Sequence, residues 1–495
     1  MNRALLRLSL ACLGMFALLL INVNYVQAFK STNLATKPGN VRIFNQQFQY
    51  KRGSIVAAGG ITPTGAAVAG GPTIAFSRLA KSGNIYQRSY LNGPLYAPVT
   101  GYDSIFGATG IEGAENKVLA GTDPRLAVHN LIDLVTGKPR LGATVYLTID
   151  PKAQQAAYTG LKSLGRPSGL VALDPATGAI LAMASYPSYN PNRYATLSGK
   201  RLDKIDLQYR HDPRQPLLNR AINATFPPGS TFKVVTSSTA LSLGKVKSPQ
   251  STVFAPPALK LPNGNLLHND AGETCGNGNP PLIQAFYISC NSAFGNLGIK
   301  VGATALRRQA ELFGFNNSKL TIPLPVSASI YPLERDPSLR ALSAIGQLND
   351  QVTPLQEAMF SAAIANQGTL MTPYLVARVQ APDLTTIQGA RQSVLSNPVS
   401  PQVAADMQTM MIQVVENPAG TAHNIFMPNL QIAGKTGTAQ NASTLDDSVF
   451  TCFTPVGGAG NHKIAVGVVV KGGGFGAAAA APIAQQVIKA YLGAQ

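Results

Sequence analysis

Pro227-Pro228-Gly229-Ser230-Thr231-Phe232-Lys233 is the stretch on which the fold and the chemistry both turn. The Pro-Pro-Gly run ends a loop, and the helix-compatible residues Val234–Leu243 after it predict a helix opening at Ser230. On a helix, positions i and i+3 share a face, which brings Lys233 beside the Ser230 hydroxyl. A serine hydroxyl is a poor nucleophile until a neighbouring base takes its proton, and a neutral lysine amine is such a base. The helix N-terminus adds backbone N–H donors and the positive end of a dipole, both suited to a developing oxyanion. Alone the pattern is cheap. Ser242-Leu243-Gly244-Lys245 repeats it, and there it reads as the polar end of a helix stopped by Gly244.

Two more short patterns lie downstream. Ser289-Cys290-Asn291 is a Ser-x-Asn, which also occurs at Ser31-Thr32-Asn33 and Ser188-Tyr189-Asn190, and most such matches are loops or helix caps. In a site shared with Ser230 and Lys233, Ser289 would relay a proton between Lys233 and a leaving group, and Asn291 would bind a substrate amide. Lys435-Thr436-Gly437-Thr438 holds the only Lys-Thr-Gly of the chain and follows a short strand predicted at Leu430–Gly434. It offers a cation, two hydroxyls and a backbone edge that Gly437 leaves open, onto which an extended peptide can add as a strand. The plain alternative is a surface turn with an incidental lysine.

Around these motifs the periodicity predicts an α+β fold. Val145–Ile149 alternates as a strand, and Asp150 with Pro151 reads as the cap and first turn of a helix through Leu164. Gly169–Leu173 and Ala179–Ser185 form a hairpin over the turn Asp174–Gly178, followed by a loop-rich stretch to Pro228. Val449–Val456 and Ile464–Lys471 read as strands joined by residues 457–461, and Ala477–Leu492 as a closing helix. Strands at both ends with helices between them suggest one antiparallel sheet covered by helices. Residues 29–143, with strands and turns expected at Arg42–Arg52 and Tyr86–Tyr102, carry no recognisable chemistry and read as a platform or spacer.

Composition narrows the setting. Hydrophobic residues are 45% and charged residues 13% of the 495, which fills a large core and excludes wholesale disorder. The net charge of +18 attracts anions. The basic residues are dispersed without a nucleic-acid motif, so no nucleic-acid partner is expected. A membrane surface or a cell-wall polymer fits the charge equally well, as does a merely solvated basic surface.

Arg3 and Arg7 precede an apolar run from Leu8 that extends to Ala28, about the length needed to cross a bilayer. The flanking charges predict a single-pass anchor over residues 1–28 with its N-terminus in the cytoplasm. A signal peptide cleaved after Val26-Gln27-Ala28 is the rival. In both cases the rest of the chain lies outside the cytoplasm, where Cys275, Cys290 and Cys452 permit one disulfide and leave a third thiol. Cys452 falls in an apolar strand. No CxxC or HExxH occurs, so neither a metal nor another cofactor is expected.

In order and spacing, Ser230–Lys233, Ser289–Asn291 and Lys435–Thr438 resemble the transpeptidase domain of penicillin-binding proteins, a motif set known to act as a unit. Leu147–Asp150, Leu170–Met183, Asn219–Ala221, Gly346-Gln347 and Val352–Gln356 are similar to that family as well, so the resemblance covers roughly residues 144–495. The whole chain looks like a short class B member. That implies an anchor (1–28), a platform of the dimerisation type (29–143) and a transpeptidase domain (144–495). The domain would hold a five-stranded antiparallel sheet covered by helices, plus an all-helical lobe.

The resemblance implies a peptidoglycan D,D-transpeptidase. Its partners would be stem peptides ending in D-Ala-D-Ala as donor and a neighbouring stem-peptide amine as acceptor, with β-lactams as acylating mimics. A membrane glycan polymerase would be a further partner. Ser230, Lys233 and Ser289 would be catalytic. Asn291, Lys435, Thr436, Gly437 and Thr438 would bind substrate, with Lys435 lowering the pKa of Lys233 by like-charge repulsion. The chain departs from the family pattern at Cys290, which stands where Asp is usual and is expected to face away from substrate. The departure suggests that Cys290 pairs with Cys275 and stiffens the loop carrying Ser289. A D,D-carboxypeptidase or β-lactamase-like hydrolase shares the motifs, and a non-catalytic sensor or scaffold is the other alternative.

Overall fold

The apolar runs Ser168–Leu173 and Ile180–Tyr186 pair antiparallel. Their turn is closed by the Gly178 N–H donating to Asp174 O and by the Asp174 carboxylate accepting from Ala176 N. This hairpin, seen in a computed structural model that describes residues 3–30, 48–59, 70–80, 85–127, 136–137, 139–270, 274–440, 445–454 and 463–493, forms one side of a five-stranded sheet. The strand order is Ala433–Ala439, Asp447–Phe453, Ala465–Val470, Ser168–Leu173, Ile180–Tyr186, antiparallel throughout. Every residue of the three middle strands is buried, so both faces are covered, and Ala465–Val470 at their centre is rich in β-branched valine. The covering helices are Pro151–Leu164, Pro354–Ala365 and Ala480–Leu492. The first is capped as the sequence predicts, by the Asp150 carboxylate accepting from Ala153 N.

Helices Lys233–Ser242, Leu282–Tyr287, Asn291–Val301, Ala303–Leu312, Pro337–Ser343 and Pro401–Glu416 pack together as a helical lobe beside the sheet. The motif copy at Ser242–Lys245 ends the first of them, with Gly244 in the left-handed region.

Several expectations need correction. The strand predicted at Leu430–Gly434 runs from Ala433 to Ala439, so Lys435–Thr438 lie inside it, held in register against Thr451 to Ser448. Tyr86–Tyr102 is strand only to Tyr90, and then becomes the helix Gly93–Thr100, whose Pro94 in the first turn costs no hydrogen bond. The stretch before Pro228 contains the helix Gly199–Arg210, capped by Ser198. Its buried face is only Leu202 and Ile205, too sparse to read as a helical period. Residues 42–47 of one expected strand, and the 457–461 connection, lie outside the described residues.

The boundary expected at residue 143 crosses a second sheet. Its order is Thr386–Gly389, Val376–Gln380, Thr144–Leu147, Ile55–Val56, Thr73–Leu79, Tyr86–Tyr90. Half of its strands come from beyond residue 143. At the N-terminus, Leu6–Lys30 is one exposed helix, long and apolar enough to cross a membrane.

Beneath the second sheet, Glu112 is buried between two arginines. Arg52 Nε donates to its Oε2 at 2.7 Å, and Arg88 Nε donates to Oε1. Burial alone would raise the Glu112 pKa, yet Arg88 and Arg52 outweigh it and hold it below the ordinary carboxylate value. Replacing Glu112 by Gln leaves two buried guanidiniums short of counter-charge. We expect a loss of about 3–5 kcal/mol of stability, read as a lower urea midpoint. A change within error would show that Asp103 and water compensate.

Candidate active site

Gly229–Phe232 is a 3-10 turn, and the α-helix begins only at Lys233. This differs from a helix opening at Ser230, but the tighter turn eclipses side chains at i and i+3 and keeps Ser230 and Lys233 on one side. The turn is wedged between backbones. Gly229 has φ +55, and a Cβ there would come within 2.5 Å of Thr438 O. Gly346 has φ +77, and a Cβ there would fall 1.9 Å from Gly229 O. Gly229 N also donates to Gly346 O at 2.9 Å, and Gln347 Nε2 donates to Thr438 O at 3.3 Å. Only glycine fits such an approach, and it holds the Ser230 turn directly against the Lys-Thr-Gly strand.

The second motif enters from the helical lobe, between Leu282–Tyr287 and Asn291–Val301. Ser289 stands at φ +62, a left-handed conformation that costs a non-glycine residue on the order of 1 kcal/mol. Cys290, next to it, is disulfide-bonded to Cys275 with Cα atoms 6.1 Å apart. The sulfur is buried and fixed by this link, which ties the Ser289 loop to the segment preceding it in the lobe. Cys452 is a free buried thiol in its strand.

Lys233 Nζ donates to Asn291 Oδ1 at 2.7 Å, to Ser289 O at 2.6 Å and to Ser289 Oγ at 3.1 Å. Lys435 Nζ reaches the same Ser289 Oγ at 2.8 Å. One hydroxyl therefore bridges two amines. Both lysines are fully buried, and each amine lies near an aromatic ring, Phe294 at 5.5 Å for Lys233 and Phe286 at 5.8 Å for Lys435. Burial pulls the Lys233 pKa down to about 7, with Asp270 opposing. Lys435 is pushed well below its ordinary value by burial first and then by the Lys233 charge, again against Asp270. The expected repulsion between the lysines thus acts on Lys435, while desolvation is what lowers Lys233.

Sequence reading named every polar side chain in this hydrogen-bonded cluster except two, and neither of the rings. Asp270 accepts from Asn291 Nδ2 at 3.1 Å and, among the described residues, is the one carboxylate that acts on both lysines. Thr421 Oγ1 lies 2.7 Å from Thr436 Oγ1. Neither belongs to a recognisable pattern, because each reaches the site through folding alone. Asn291, expected to be free for a substrate amide, gives its oxygen to Lys233 and its nitrogen to Asp270 and to His268 O. Among the described residues no group of His, Cys, Asp and Glu is disposed to hold a metal.

Comparison with known proteins agrees with this geometry. The family profile described as "Penicillin binding protein transpeptidase domain" matches residues 168–489, and "Penicillin binding protein A dimerisation domain" matches residues 64–145. The peptidoglycan D,D-transpeptidase PbpA of Mycolicibacterium smegmatis is 38% identical, over 99% of both chains. The protein of the same name from Mycobacterium tuberculosis is 37% identical, also over 99% of both. The structure of penicillin-binding protein A from M. tuberculosis, solved as a ceftriaxone acyl-enzyme complex, superposes with a TM-score of 0.83. That match has 36% identity and covers 90% of this chain and 100% of that one. The sheet, the helical lobe and the end-to-end match together mean that this chain belongs to the penicillin-binding protein family and is a peptidoglycan D,D-transpeptidase.

Proposed function

We propose that Ser230 is the nucleophile that carries the cross-linking reaction, and that the Ser289 hydroxyl held between the Lys233 and Lys435 amines is the proton route serving it. That bridge carries the reading, because it draws three distant motifs into one hydrogen-bonded network beside the serine turn. The donor is a stem peptide ending in D-Ala-D-Ala. It lies along Ala433–Ala439, the edge strand of the five-stranded sheet, as an added strand. Lys435, Thr436 and Thr438 hold its terminal carboxylate, and Gly437 allows the close approach. Ser230 Oγ attacks the penultimate carbonyl while Lys233 accepts the proton, and the backbone N–H groups of Ser230 and Thr438 stabilise the oxyanion. Ser289 passes a proton to the departing D-Ala. Asn291 keeps Lys233 aimed, and the acceptor amine then attacks the acyl-enzyme.

A β-lactam presents the same carbonyl and carboxylate and acylates Ser230 in the same way. Residues 1–28 serve as an uncleaved anchor with the N-terminus in the cytoplasm. Residues 29–143 act as a platform and residues 144–495 as the catalytic region, working beside a membrane glycan polymerase. The long exposed apolar helix Leu6–Lys30 supports the anchor.

Fluorescent penicillin should label the wild-type chain at Ser230 by peptide mapping and leave Ser230→Ala unlabelled. Label on another residue, or persistent labelling of the variant, would remove the assignment. The pH profile has a defined sign. The neutral amine is the base, so the acylation rate should rise as pH climbs through about 7, where Lys233 loses its proton. A profile flat from pH 5.5 to 8 would rule Lys233 out as the base.

Replacing Cys275 and Cys290 together by Ser opens a loop of separation 15. This should cost about 3 kcal/mol of stability by the chain-entropy account. It should slow acylation as well, because Ser289 then loses its tether. Unchanged melting and acylation would make the bridge dispensable.

A further inference from the structure

We propose that Glu357 is a positioning residue that works as a neutral carboxylic acid, donating its proton to Thr231 Oγ1 and thereby locking the turn that presents Ser230. The inference rests on the reading of Ser230 as nucleophile, and it starts from a count of hydrogens. Thr231 is fully buried, and its Oγ1 lies 2.8 Å from Pro228 O and 2.8 Å from Glu357 Oε1. A threonine hydroxyl has one proton to give, and a proline carbonyl can only accept. If the hydroxyl donates to the carboxylate, Pro228 O faces a bare oxygen at hydrogen-bond distance. If it donates to Pro228 O, both contacts are satisfied, provided that Glu357 supplies the second proton. The Thr231–Pro228 bond closes the turn across Gly229 and Ser230, so the proton on Glu357 reaches the nucleophile through a single side chain.

The surroundings favour the acid form. Every residue of the helix Pro354–Ala365 is buried, and Glu357 is 0% exposed. Glu357 Oε2 has no partner among the described residues. Thr451 from the strand Asp447–Phe453 gives its hydroxyl proton to the Glu357 backbone carbonyl, away from the carboxyl. In Ala465–Val470, Gly467 leaves room for the helix, since a Cβ there would lie 2.7 Å from Glu357 Cβ. The titratable groups on the packed elements are Asp447 and Cys452 of the neighbouring strand and Asp406 and Glu416 of the helix Pro401–Glu416, with Lys233 following the turn that carries Thr231. None of them contributes to the Glu357 shift, which comes from burial, opposed by the Thr231 bond, and brings the pKa up to about 8. A buried carboxylate without a cation costs far more than the buried acid. As Glu357 ionises above about pH 8, Thr231 turns its proton from Pro228 O to the carboxylate, and the turn loosens.

The test uses the full-length chain, with fluorescent penicillin as acylating probe. Glu357→Gln keeps a donor toward Thr231 but cannot ionise. It should acylate within about threefold of wild type at pH 7, and the falling limb of its pH profile should move to higher pH. Thr231→Val, which removes the lock, should acylate about tenfold more slowly than wild type below pH 8, the worth of one hydrogen bond, and the gap should narrow above it. The protonation state is read directly in wild type labelled with 13C-glutamate, by infrared difference against Glu357→Gln at pH 6. A carboxylic-acid C=O band assignable to Glu357, lost on raising the pH through 8, is expected. Carboxylate bands alone at pH 6, or a falling limb unmoved in Glu357→Gln, would overturn the proposal. Should Glu357→Gln fail to fold, the acid band of labelled wild type and the Thr231→Val rate decide the matter. Absence of acylation in the wild type would remove the Ser230 reading instead, and the infrared band would still report on Glu357.

Discussion

Two fully buried amines share one half-buried hydroxyl, and most of the structure around the cleft serves that arrangement. Buried without compensation, a pair of ammonium groups would be prohibitive, since each loses its hydration and repels the other. Here the charge is relieved in three ways. Lys233 and Lys435 have depressed affinities for protons, Asp270 supplies a negative charge within range of both, and the rings of Phe294 and Phe286 offer their negative faces. The cost that remains yields a lysine near neutrality at physiological pH, which is the property a general base needs.

Holding three segments so closely is a backbone problem before it is a side-chain one. The serine turn, the Gly346 loop and the edge strand meet through glycines where any Cβ would overlap a carbonyl. The Ser289 loop takes a left-handed conformation and is tethered by a covalent bridge. These are local conformations that the chain would not adopt unaided. They persist because the fully buried sheet and the helical lobe on either side over-determine them. The strain is concentrated where alignment of the reacting groups matters most.

Much of this was legible in the sequence because motif chemistry is local. Ser230 and Lys233 sit one turn apart, and Lys-Thr-Gly is unique in the chain. The β-branched runs at Val449 and Ile464 read as strands because full burial on both faces leaves them continuously apolar. Asp270 and Thr421 were missed for the opposite reason. Their roles come from contacts across 21 and 15 residues of chain that carry no pattern of their own. The helix Gly199–Arg210 escaped because it buries only two side chains, and the continuation of the strand through Lys435–Ala439 because Gly434 and Gly437 weaken its β signature. The relative effect of the two lysines was misjudged because burial, which outweighs their mutual repulsion at Lys233, cannot be read from spacing.

The six-stranded sheet has a consequence for how the chain is built as an object. Its parallel pair joins Ile55–Val56 to Thr144–Leu147, and Val376–Gln380 closes the other side of the latter. Arg125 Nη1 donates to Gln388 Oε1 at 2.6 Å across the same seam. Residues separated by more than three hundred positions are thus laced into one fabric, and a cut at residue 143 would leave raw edges on both pieces. Tension on Ile55–Val56 is shared by backbone bonds to Thr73–Leu79 on one side and Thr144–Leu147 on the other, so this pair cannot leave the sheet without breaking both ladders.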